Sequence, residues 1–584
     1  MAHAPRLGAT VTERGVTFRL WSTDATTHEV RLYDATGTHV IGSAPLASEG
    51  AHVFAATVAG VGHGARYRFV LDGHEVGDPY ARWLPDGVLR PAMVYAARHR
   101  FIHAPVARPL REHVIYELHV GTFTPAGTYA AAAAHLRALA QLGVTAIELM
   151  PVAAFAGHHG WGYDGVAPFA PHAAYGTPDE LRALVDAAHG VGLAVLLDVV
   201  YNHFGPAGND LAAYSRTYVR DAQTGWGEAP DFRQPAMRAL AVASARDWLE
   251  AYQLDGLRID AVHALIDDGE RHILREITDA AHALGRPVLV IAEDERNEPA
   301  LVERLGVDGI WADDFHHAVH VTLTGERDGY YAAYAPGAGT IARAIERGWL
   351  YEGQVVDPRT GRTRGTPALG LPAEAFVYCL QNHDQVGNRA LGERLHALVP
   401  LEAYAGASTL LLFLPMTPVL FMGQEWAAST PFQYFTDHAP ALGAQVAAGR
   451  REEFKAFRAF ADPAARAAIP DPQDPATHAR STLAWAERER PPHGRVLALY
   501  QALLALRRTD PVLVHGRREQ LSAHADEDLL IVRRWHAGAA RTLLWNLSAH
   551  DRAVAVAPVA RVLVASRPVR LPVLPAWAAV VIDA

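Results

Sequence analysis

Eight short apolar segments recur between residues 114 and 423, and each is followed by a stretch long enough to form a helix. Strands of a parallel sheet that is buried on both faces have continuous apolar runs of this kind. Four of the intervening stretches are amphipathic, and several begin at Pro, Thr or Asp and end at Gly, as helix caps do. The pattern predicts an α/β fold, the (β/α)8 TIM barrel. The predicted strands are "VIYELHV", "AIELM", "AVLLDVV", "GLRID", "VLVIAED", "GIWAD", "FVYCL" and "VLFMG", and the predicted helices are "TYAAAAAHLRALAQLG", "TPDELRALVDAAHGVG", "PAMRALAVASARDWLEAYQ" and "GERHILREITDAAHALG".

The segments on either side of the predicted barrel have a different pattern. Short alternating strands separated by Gly, Asp and Thr predict an N-terminal β-sandwich that ends near "DPYARWLPDG". After about Pro491, a helical stretch gives way to strands that predict a C-terminal antiparallel β-domain. A chain of 584 residues is also longer than one core fills, since single cores stop growing beyond about 250–300 residues. We expect three domains, at residues 1–97, 98–490 and 491–584.

Charge and cysteine content exclude several classes of protein. The net charge of −10 and the scarcity of Lys and Arg runs argue against a nucleic-acid partner or an anionic membrane partner. The single cysteine, Cys379, excludes an internal disulfide framework, and its apolar segment indicates a small core residue. The first residues lack the apolar region of a secretory signal, and Pro415 and Pro418 interrupt the longest apolar run. We expect a cytoplasmic protein with a neutral substrate, and the oligomeric state stays open.

Polar side chains follow four of the predicted barrel strands at their carboxyl ends. In barrel enzymes the catalytic groups come from these ends. A single acid there is as readily explained by a helix cap or a surface ion pair, but those explanations do not account for a recurring set. The set consists of Asp198, Asn202 and His203 after the third strand, Arg258 and Asp260 after the fourth, Glu293 after the fifth, and His383 and Asp384 after the seventh.

Two carboxylates on adjacent barrel strands suit the hydrolysis of a glycosidic bond. One carboxylate attacks the anomeric carbon, and the other protonates the leaving oxygen. Asp260 is the better nucleophile because Arg258 lies two residues away on the same face of the strand and favours an ionised partner. Glu293 is then the acid/base, which requires surroundings that raise its pKa. Asp384 is left to stabilise the positive charge of the transition state, and a carboxyl gap of roughly 5–5.5 Å between the first two would mean retention.

These segments resemble the four signature regions of the α-amylase family of retaining glycoside hydrolases, and they occur in the family's order. The resemblance implies that Asp260 is the nucleophile, Glu293 the general acid/base and Asp384 the transition-state carboxylate. It also implies a set of residues that hold the sugar before the scissile bond, with a tyrosine in "GWGYDG" stacking on that sugar and two histidines donating to its hydroxyls. This set is Tyr163, Asp198, His203, Arg258 and His383.

Longer segments resemble one subfamily of that family. They are "GIWADDFHHAVHVTLTGERDGYY", "NHDQVGNRALGERL" and the front sandwich ending in "DPYAR". The resemblance implies malto-oligosyltrehalose as the substrate, cleavage of the α-1,4 bond next to its trehalose end, water as the acceptor, and no cofactor. Two alternatives stay open. One is a glucan branching or debranching enzyme of the same family, and the other is a glucan-binding module on a barrel without catalysis.

Three consecutive acids make the choice of acid/base ambiguous at the fifth strand. The segment reads "AEDERNEP", so that Glu293, Asp294 and Glu295 all lie near one strand end. Glu293 directly follows the apolar run and is the first polar residue at the mouth of the barrel. We therefore expect Glu293 to be the acid/base and the loss of either neighbour to be milder.

The segment "DDFHHAVH" raises the alternative of a metal-dependent hydrolase. His316 and His320 have the i,i+4 spacing of helical metal ligands, and Asp313, Asp314 and His317 lie beside them. A metal centre there would leave the strand-end acids unexplained. Some amylases also bind calcium through an asparagine that matches Asn202, but "YNHFGPAGND" lacks a dense set of oxygen ligands. We therefore predict no required metal.

Overall fold

Eight parallel strands close into a barrel in the middle of the chain, in sequence order. The computed structural model describes residues 6–224, 227–356, 361 and 363–583, so residues 1–5 of the predicted sandwich lie outside the described residues. All eight strands lie within or overlap the predicted segments, and the predicted fold class is confirmed. The barrel strands are Ile115–Leu118, Ala146–Leu149, Ala194–Val199, Gly256–Ile259, Leu289–Glu293, Gly309–Trp311, Phe376–Cys379 and Thr417–Phe421.

Alternate side chains of each strand fill the interior of the barrel. Ile115 pairs in register with Ala146 on one side and with Val419 of the last strand on the other, which closes the sheet. Residues such as Ile115, Leu196 and Cys379 pack together inside the barrel, while their neighbours in sequence face the surrounding helices. Cys379 is buried and has no disulfide partner, so its prediction as a small core residue is confirmed.

Local capping sets where the surrounding helices begin and end. Thr177 precedes helix Pro178–Gly190, and its Oγ1 accepts from the N–H of Glu180 at 3.2 Å while Glu180 Oε2 accepts from the N–H of Thr177 at 2.7 Å. Gly143, with a φ of 111°, ends helix Leu136–Leu142 in a conformation that favours glycine.

The four predicted helices are present, although the first is split. The helices are Val120–Phe123, Tyr129–Ala133, Leu136–Leu142, Pro178–Gly190, Leu211–Tyr214, Pro235–Ala251, Ile273–His282, Ala300–Glu303, Asp313–Thr324, Ala338–Arg347, His383–Gly387, Leu395–Leu398, Leu401–Phe413, Pro440–Glu453, Arg458–Ala461, Pro463–Ala467, Pro475–Arg480 and His493–Thr509.

Two antiparallel sheets form the predicted N-terminal sandwich, and further antiparallel sheets form the C-terminal domain. The sandwich strands are Gly8–Thr12, Gly15–Trp21, Ala47–Gly50 and Val53–Val58 in one sheet, and His28–Tyr33, Val40–Pro45, Arg66–Leu71, His74–Val76 and Ala92–Met93 in the other. The C-terminal strands are Leu521–Asp526, Leu529–His536, Ala539–Asn546, Arg561–Ala565 and Ala579–Asp583, with a ribbon of Arg552–Ala553 and Val573–Leu574. Two ribbons flank the barrel, Ala153–Ala154 with Ala167–Pro171 and Val219–Thr224 with Gly227–Pro230. The exact boundaries near residues 97 and 490 stay predictions.

The sandwich packs against the chain that follows the third barrel strand. Ser22 Oγ donates to the carbonyl oxygen of Tyr214 at 2.8 Å, and the hydroxyl of Tyr214 donates to the carbonyl of Gly77 at 2.7 Å. The ring of Trp21 lies edge-on to that of Tyr218, with 5.1 Å between centroids. The sandwich therefore supports one wall of the barrel mouth. Within the described part of the chain, no helix has both the length and the apolar character needed to cross a bilayer.

Candidate active site

Four barrel strands deliver charged side chains to the same rim of the barrel. Asp198 pairs in register with Arg258 on the neighbouring strand. The last paired residues of the fourth and fifth strands are Ile259 and Ala292. Asp260 and Glu293 directly follow them, so their side chains leave the barrel at the same level. Asp384 lies in the first turn of the short helix after the seventh strand. The strand ends therefore converge as the sequence predicted.

Arg258 lies at the centre of this group and is fully buried. Its Nη1 donates to both oxygens of Asp198 and to Oδ1 of Asp260, each at 2.8 Å. Its Nη2 lies 2.9 Å from Glu293 Oε2, a close contact without an aligned hydrogen bond. Arg258 Cζ lies 4.3 Å from the centroid of the Trp311 ring. One buried guanidinium thus contacts three carboxyl groups and holds two of them, Asp198 and Asp260, by hydrogen bonds.

Asp260 is held in its ionised form. The contact with Arg258 that the two-residue spacing predicted is present, and Asn202 Nδ2 donates to Asp260 Oδ2 at 2.7 Å. Burial by itself would raise the pKa of Asp260, but the guanidinium and the hydrogen bond from Asn202 outweigh it, and the pKa lies below its ordinary value. Asp260 is therefore a carboxylate at neutral pH.

The surroundings of Glu293 favour its protonated form. Its Oε2 accepts from the N–H of Ala261 at 2.8 Å, and Ala261 has a left-handed φ of 40°, which is unusual for a residue with a side chain. Burial raises the pKa of Glu293 well above its ordinary value and outweighs the attraction of Arg258 for the ionised form. The carboxylates of Asp260 and Asp384 raise it further. The pKa values of two adjacent carboxyl groups are therefore shifted in opposite directions, as a nucleophile and a general acid require.

The two acids that follow Glu293 have other surroundings. The carboxylate of Asp294 is fully buried and accepts from Arg296 Nε at 2.9 Å. Glu295 is exposed. Of the three candidates, Glu293 is the one that contacts Arg258 at the rim, and its role in the reaction stays a prediction.

Tyr163 connects groups from the third and seventh strands. Its hydroxyl donates to Asp198 Oδ2 at 2.6 Å and lies 2.7 Å from His383 Nε2. The rings of Tyr163 and His383 are stacked, with 5.3 Å between centroids and 20° between planes. His383 Nε2 lies 3.7 Å from Asp384 Oδ1. The structure thus brings these predicted sugar-holding residues together, while their contact with a sugar stays a prediction.

His203 also lies in the group, but both of its ring nitrogens have partners within the protein. Nε2 lies 2.9 Å from the carbonyl oxygen of Tyr163, and Nδ1 is bonded to Oδ1 of Asn202. A hydrogen bond from His203 to a sugar hydroxyl therefore requires one of these bonds to be exchanged. In this arrangement His203 orients Asn202, which in turn holds Asp260.

Comparison with known proteins gives the family. The alpha-amylase catalytic domain matches residues 106–226, and carbohydrate-binding module 48, the isoamylase N-terminal domain, matches residues 6–86. The malto-oligosyltrehalose trehalohydrolase of Deinococcus radiodurans is 50% identical over 570 residues, which are 95% of this chain and 92% of that protein. The chain belongs to the malto-oligosyltrehalose trehalohydrolase family. This membership confirms the resemblance that the longer segments indicated.

Two further comparisons show how much of the chain is similar to other proteins. The crystal structure of a Salmonella typhimurium protein, provisionally described as an alpha amylase, is 37% identical with a TM-score of 0.91, and the match covers 100% of both chains. A 1,4-alpha-glucan branching enzyme of Nocardia farcinica is 34% identical over 224 residues only, which are 34% of this chain and 30% of that protein. Similarity to the trehalohydrolase family extends over nearly the whole chain, whereas similarity to the branching enzyme does not.

Two buried acids that lie below the rim of the barrel were not predicted from the sequence. Glu117 of the first strand is 1% exposed, and its side chain is bonded to His383. Glu148 of the second strand is paired in register with Glu117 and is equally buried. The signal was present, because each is a charged residue within an apolar strand. Both lie before the strand end, whereas catalytic groups were expected at the strand ends.

The histidine-rich helix Asp313–Thr324 has partners of its own. His316 Nδ1 lies 2.6 Å from the carbonyl oxygen of Leu380, and His320 Nε2 lies 2.8 Å from Glu326 Oε2. Among the described residues, no group of three or more His, Cys, Asp or Glu side chains has the arrangement of a metal site. His316 therefore links the helix to the end of the seventh strand, and His320 links it to the loop that follows the helix.

Proposed function

We propose that this chain is a retaining glycoside hydrolase that cleaves the α-1,4-glucosidic bond next to the trehalose end of malto-oligosyltrehalose. The products are trehalose and a malto-oligosaccharide. Membership of the trehalohydrolase family supports the substrate, and the alpha-amylase catalytic domain supports the reaction class. A single observation carries the mechanism: burial and neighbouring charges set the pKa values of Asp260 and Glu293 in opposite directions.

In the first step, the carboxylate of Asp260 attacks the anomeric carbon of the glucose unit next to trehalose. The bond from that carbon to the trehalose oxygen breaks, and the proton of Glu293 passes to the leaving oxygen. Trehalose leaves, and the malto-oligosaccharide remains as an ester of Asp260. Asp384 stabilises the positive charge that develops on the sugar ring.

In the second step, a water molecule attacks the same carbon. Formation of the ester has removed the negative charge of Asp260, which was one cause of the raised pKa of Glu293. Glu293 therefore stays ionised long enough to accept a proton from the water. The ester bond breaks, the malto-oligosaccharide leaves with its original α-configuration, and both carboxyl groups return to their starting forms.

The remaining predicted residues position the sugar and the nucleophile. Arg258 and Asn202 orient Asp260 through direct hydrogen bonds. The partly exposed ring of Tyr163 suits the apolar face of a pyranose, and the buried ring of His383 stacks against it from within the protein. A cytoplasmic location also stays part of this proposal, and it rests on the single cysteine, which needs no oxidising compartment.

A glucan branching or debranching activity is the alternative within the same family. It shares the barrel and both carboxyl groups, and differs in the linkage that fits the cleft. Incubation with maltotriosyl-trehalose and, separately, with amylopectin distinguishes the two. We expect free trehalose and maltotriose from the first substrate and no change in branching of the second. Changed branching without trehalose release would contradict the proposal, and an Asp260→Asn variant controls for contaminating enzymes.

A further inference from the structure

A continuous chain of hydrogen bonds runs beneath the rim, from the first barrel strand to the fourth. It begins at Glu117, whose Oε2 accepts from the backbone N–H of His383 at 3.0 Å and whose Oε1 is bonded to Nδ1 of the same histidine. It continues through Tyr163 and Asp198 to Arg258. The proposed reaction has no step for Glu117, and its side chain reaches the site through His383.

The acceptors at the two ends of this series of hydrogen bonds determine which atoms within it donate. Burial raises the pKa of Asp198 to about 6, so above that pH its oxygens are acceptors. The one hydroxyl proton of Tyr163 is donated to Asp198, so the Tyr163 oxygen accepts from His383 Nε2–H at 2.7 Å. Oε1 of Glu117 accepts a hydrogen bond from Nδ1–H. With a proton on both ring nitrogens, His383 is an imidazolium.

The charges that surround His383 agree with this assignment. Burial opposes a charge on the ring, but the carboxylates of Asp384 and Glu117 outweigh it and raise the pKa of His383 to about 9. Arg258 acts in the opposite direction. The other titratable groups that face the ring from packed elements are His119, Glu148, Tyr163 and Asp198.

We propose that Glu117 is a positioning residue for the reaction: by holding the buried His383 as an imidazolium, it orients Tyr163, whose partly exposed ring binds the reacting sugar. This inference rests on the proposed function and adds a residue to it. Without the charge of Glu117, His383 loses its proton at lower pH. Nε2 then becomes an acceptor, and Tyr163 can donate to either His383 or Asp198 but not to both.

Glu148 provides a matched control on the neighbouring strand. It pairs in register with Glu117 and is also 1% exposed. Neither of its oxygens has a hydrogen-bond partner within the part of the chain that the structure describes. Burial raises the pKa of Glu148 well above its ordinary value, which favours its neutral form. A change to Gln at Glu148 therefore keeps the size of the side chain and its favoured neutral form, whereas the same change at Glu117 removes a charge beside His383.

The test is the pH dependence of kcat/KM with α-maltotriosyl fluoride. Fluoride leaves without a proton from Glu293, so the alkaline limb reports on His383. We expect Glu117→Gln to move this limb to lower pH by about one to three units, with a loss of about tenfold at alkaline pH for each unit. Glu148→Gln should keep the limb of the unmodified protein. In a His383→Gln background, Glu117→Gln should have little further effect, because it acts through that histidine.

Three results would overturn the inference: an unmoved limb in Glu117→Gln, an equal movement in Glu148→Gln, or full additivity with His383→Gln. If Glu117→Gln does not fold, Glu117→Asp replaces it. That variant keeps the charge on a shorter side chain, so kcat/KM should fall while the limb stays, and a moved limb would contradict the inference. The fluoride assay requires no trehalose unit, so a failure of the wild type to release trehalose would refute the proposed function alone.

Discussion

Asp260 and Glu293 contact the same guanidinium: Arg258 Nη1 lies 2.8 Å from Asp260 Oδ1, and Nη2 lies 2.9 Å from Glu293 Oε2. The bond to Asp260 is aligned, and Asn202 adds a second hydrogen bond to that carboxylate. The contact to Glu293 is not aligned, and Asp384 adds a repulsive charge. One arginine therefore contacts two carboxyl groups whose pKa values are shifted in opposite directions.

Asp260 should be the site of covalent labelling. A fluorinated maltosyl fluoride that forms the glycosyl-enzyme faster than water removes it should add one sugar to the chain, because the ionised Asp260 is the attacking group. Digestion and mass spectrometry should place the sugar on the peptide that contains Asp260. Asp260→Asn is the control and should stay unlabelled. A sugar attached to Glu293 or Asp384 would require a different assignment.

Replacing Glu293 should be far more damaging than replacing its neighbour Asp294. Glu293→Gln should lower kcat on maltotriosyl-trehalose by about 10²–10⁴-fold, since it removes the general acid. A glycosyl fluoride should restore much of the first step, because fluoride leaves without a proton. Asp294→Asn should lower the melting temperature while kcat falls by less than about tenfold, because Asp294 pairs with Arg296 away from Arg258. The opposite ranking would show that the acid was misassigned.

Acid should destabilise the protein through histidines that are buried in their neutral form. Nδ1 of His316 donates to the Leu380 carbonyl, and Nε2 accepts from Tyr331. Burial lowers the pKa of His316 from 6.5 to about 3. As the pH falls below 6.5, the unfolded chain binds a proton that the folded protein does not, so stability falls towards about pH 3.

Melting temperatures measured between neutral pH and about pH 4 test this reasoning. His316→Asn retains a donor for Leu380 but cannot take up a proton, so its melting temperature should fall less steeply with acid than that of the unmodified protein. The exposed His74 supplies the control, and His74→Gln should keep the original slope. An unchanged slope in His316→Asn would mean that other groups dominate the acid response.

Chelation should leave the activity intact. The described residues contain no metal-ligand cluster, and Asn202, the residue that matches a calcium ligand in some amylases, uses its amide to hold Asp260 and His203. Dialysis against a chelator, followed by elemental analysis and assay on maltotriosyl-trehalose, is the measurement. Activity that disappears on dialysis and returns with Ca²⁺ or Zn²⁺ would refute this prediction.

The fold could be predicted closely because its signals are local. Each buried strand, such as Ala194–Val199, is an unbroken apolar run, and each following helix has its own caps. The identities of the strand-end acids were equally visible, since the carboxyl ends of barrel strands share one rim. The short segments around Asp260 and Glu293 were sufficient to indicate the α-amylase family.

The amino-acid sequence by itself determined the barrel, the position of the charged rim and the family. Only the tertiary structure decided which side chains are hydrogen-bonded to one another and which protonation state each of them favours. The pairing of Glu117 with His383, and the contacts of Glu293 with Arg258 and with the N–H of Ala261, join residues that are distant in the chain. Protonation depends on burial and on charges within a few ångströms, and those distances exist only after the strands have closed into a barrel.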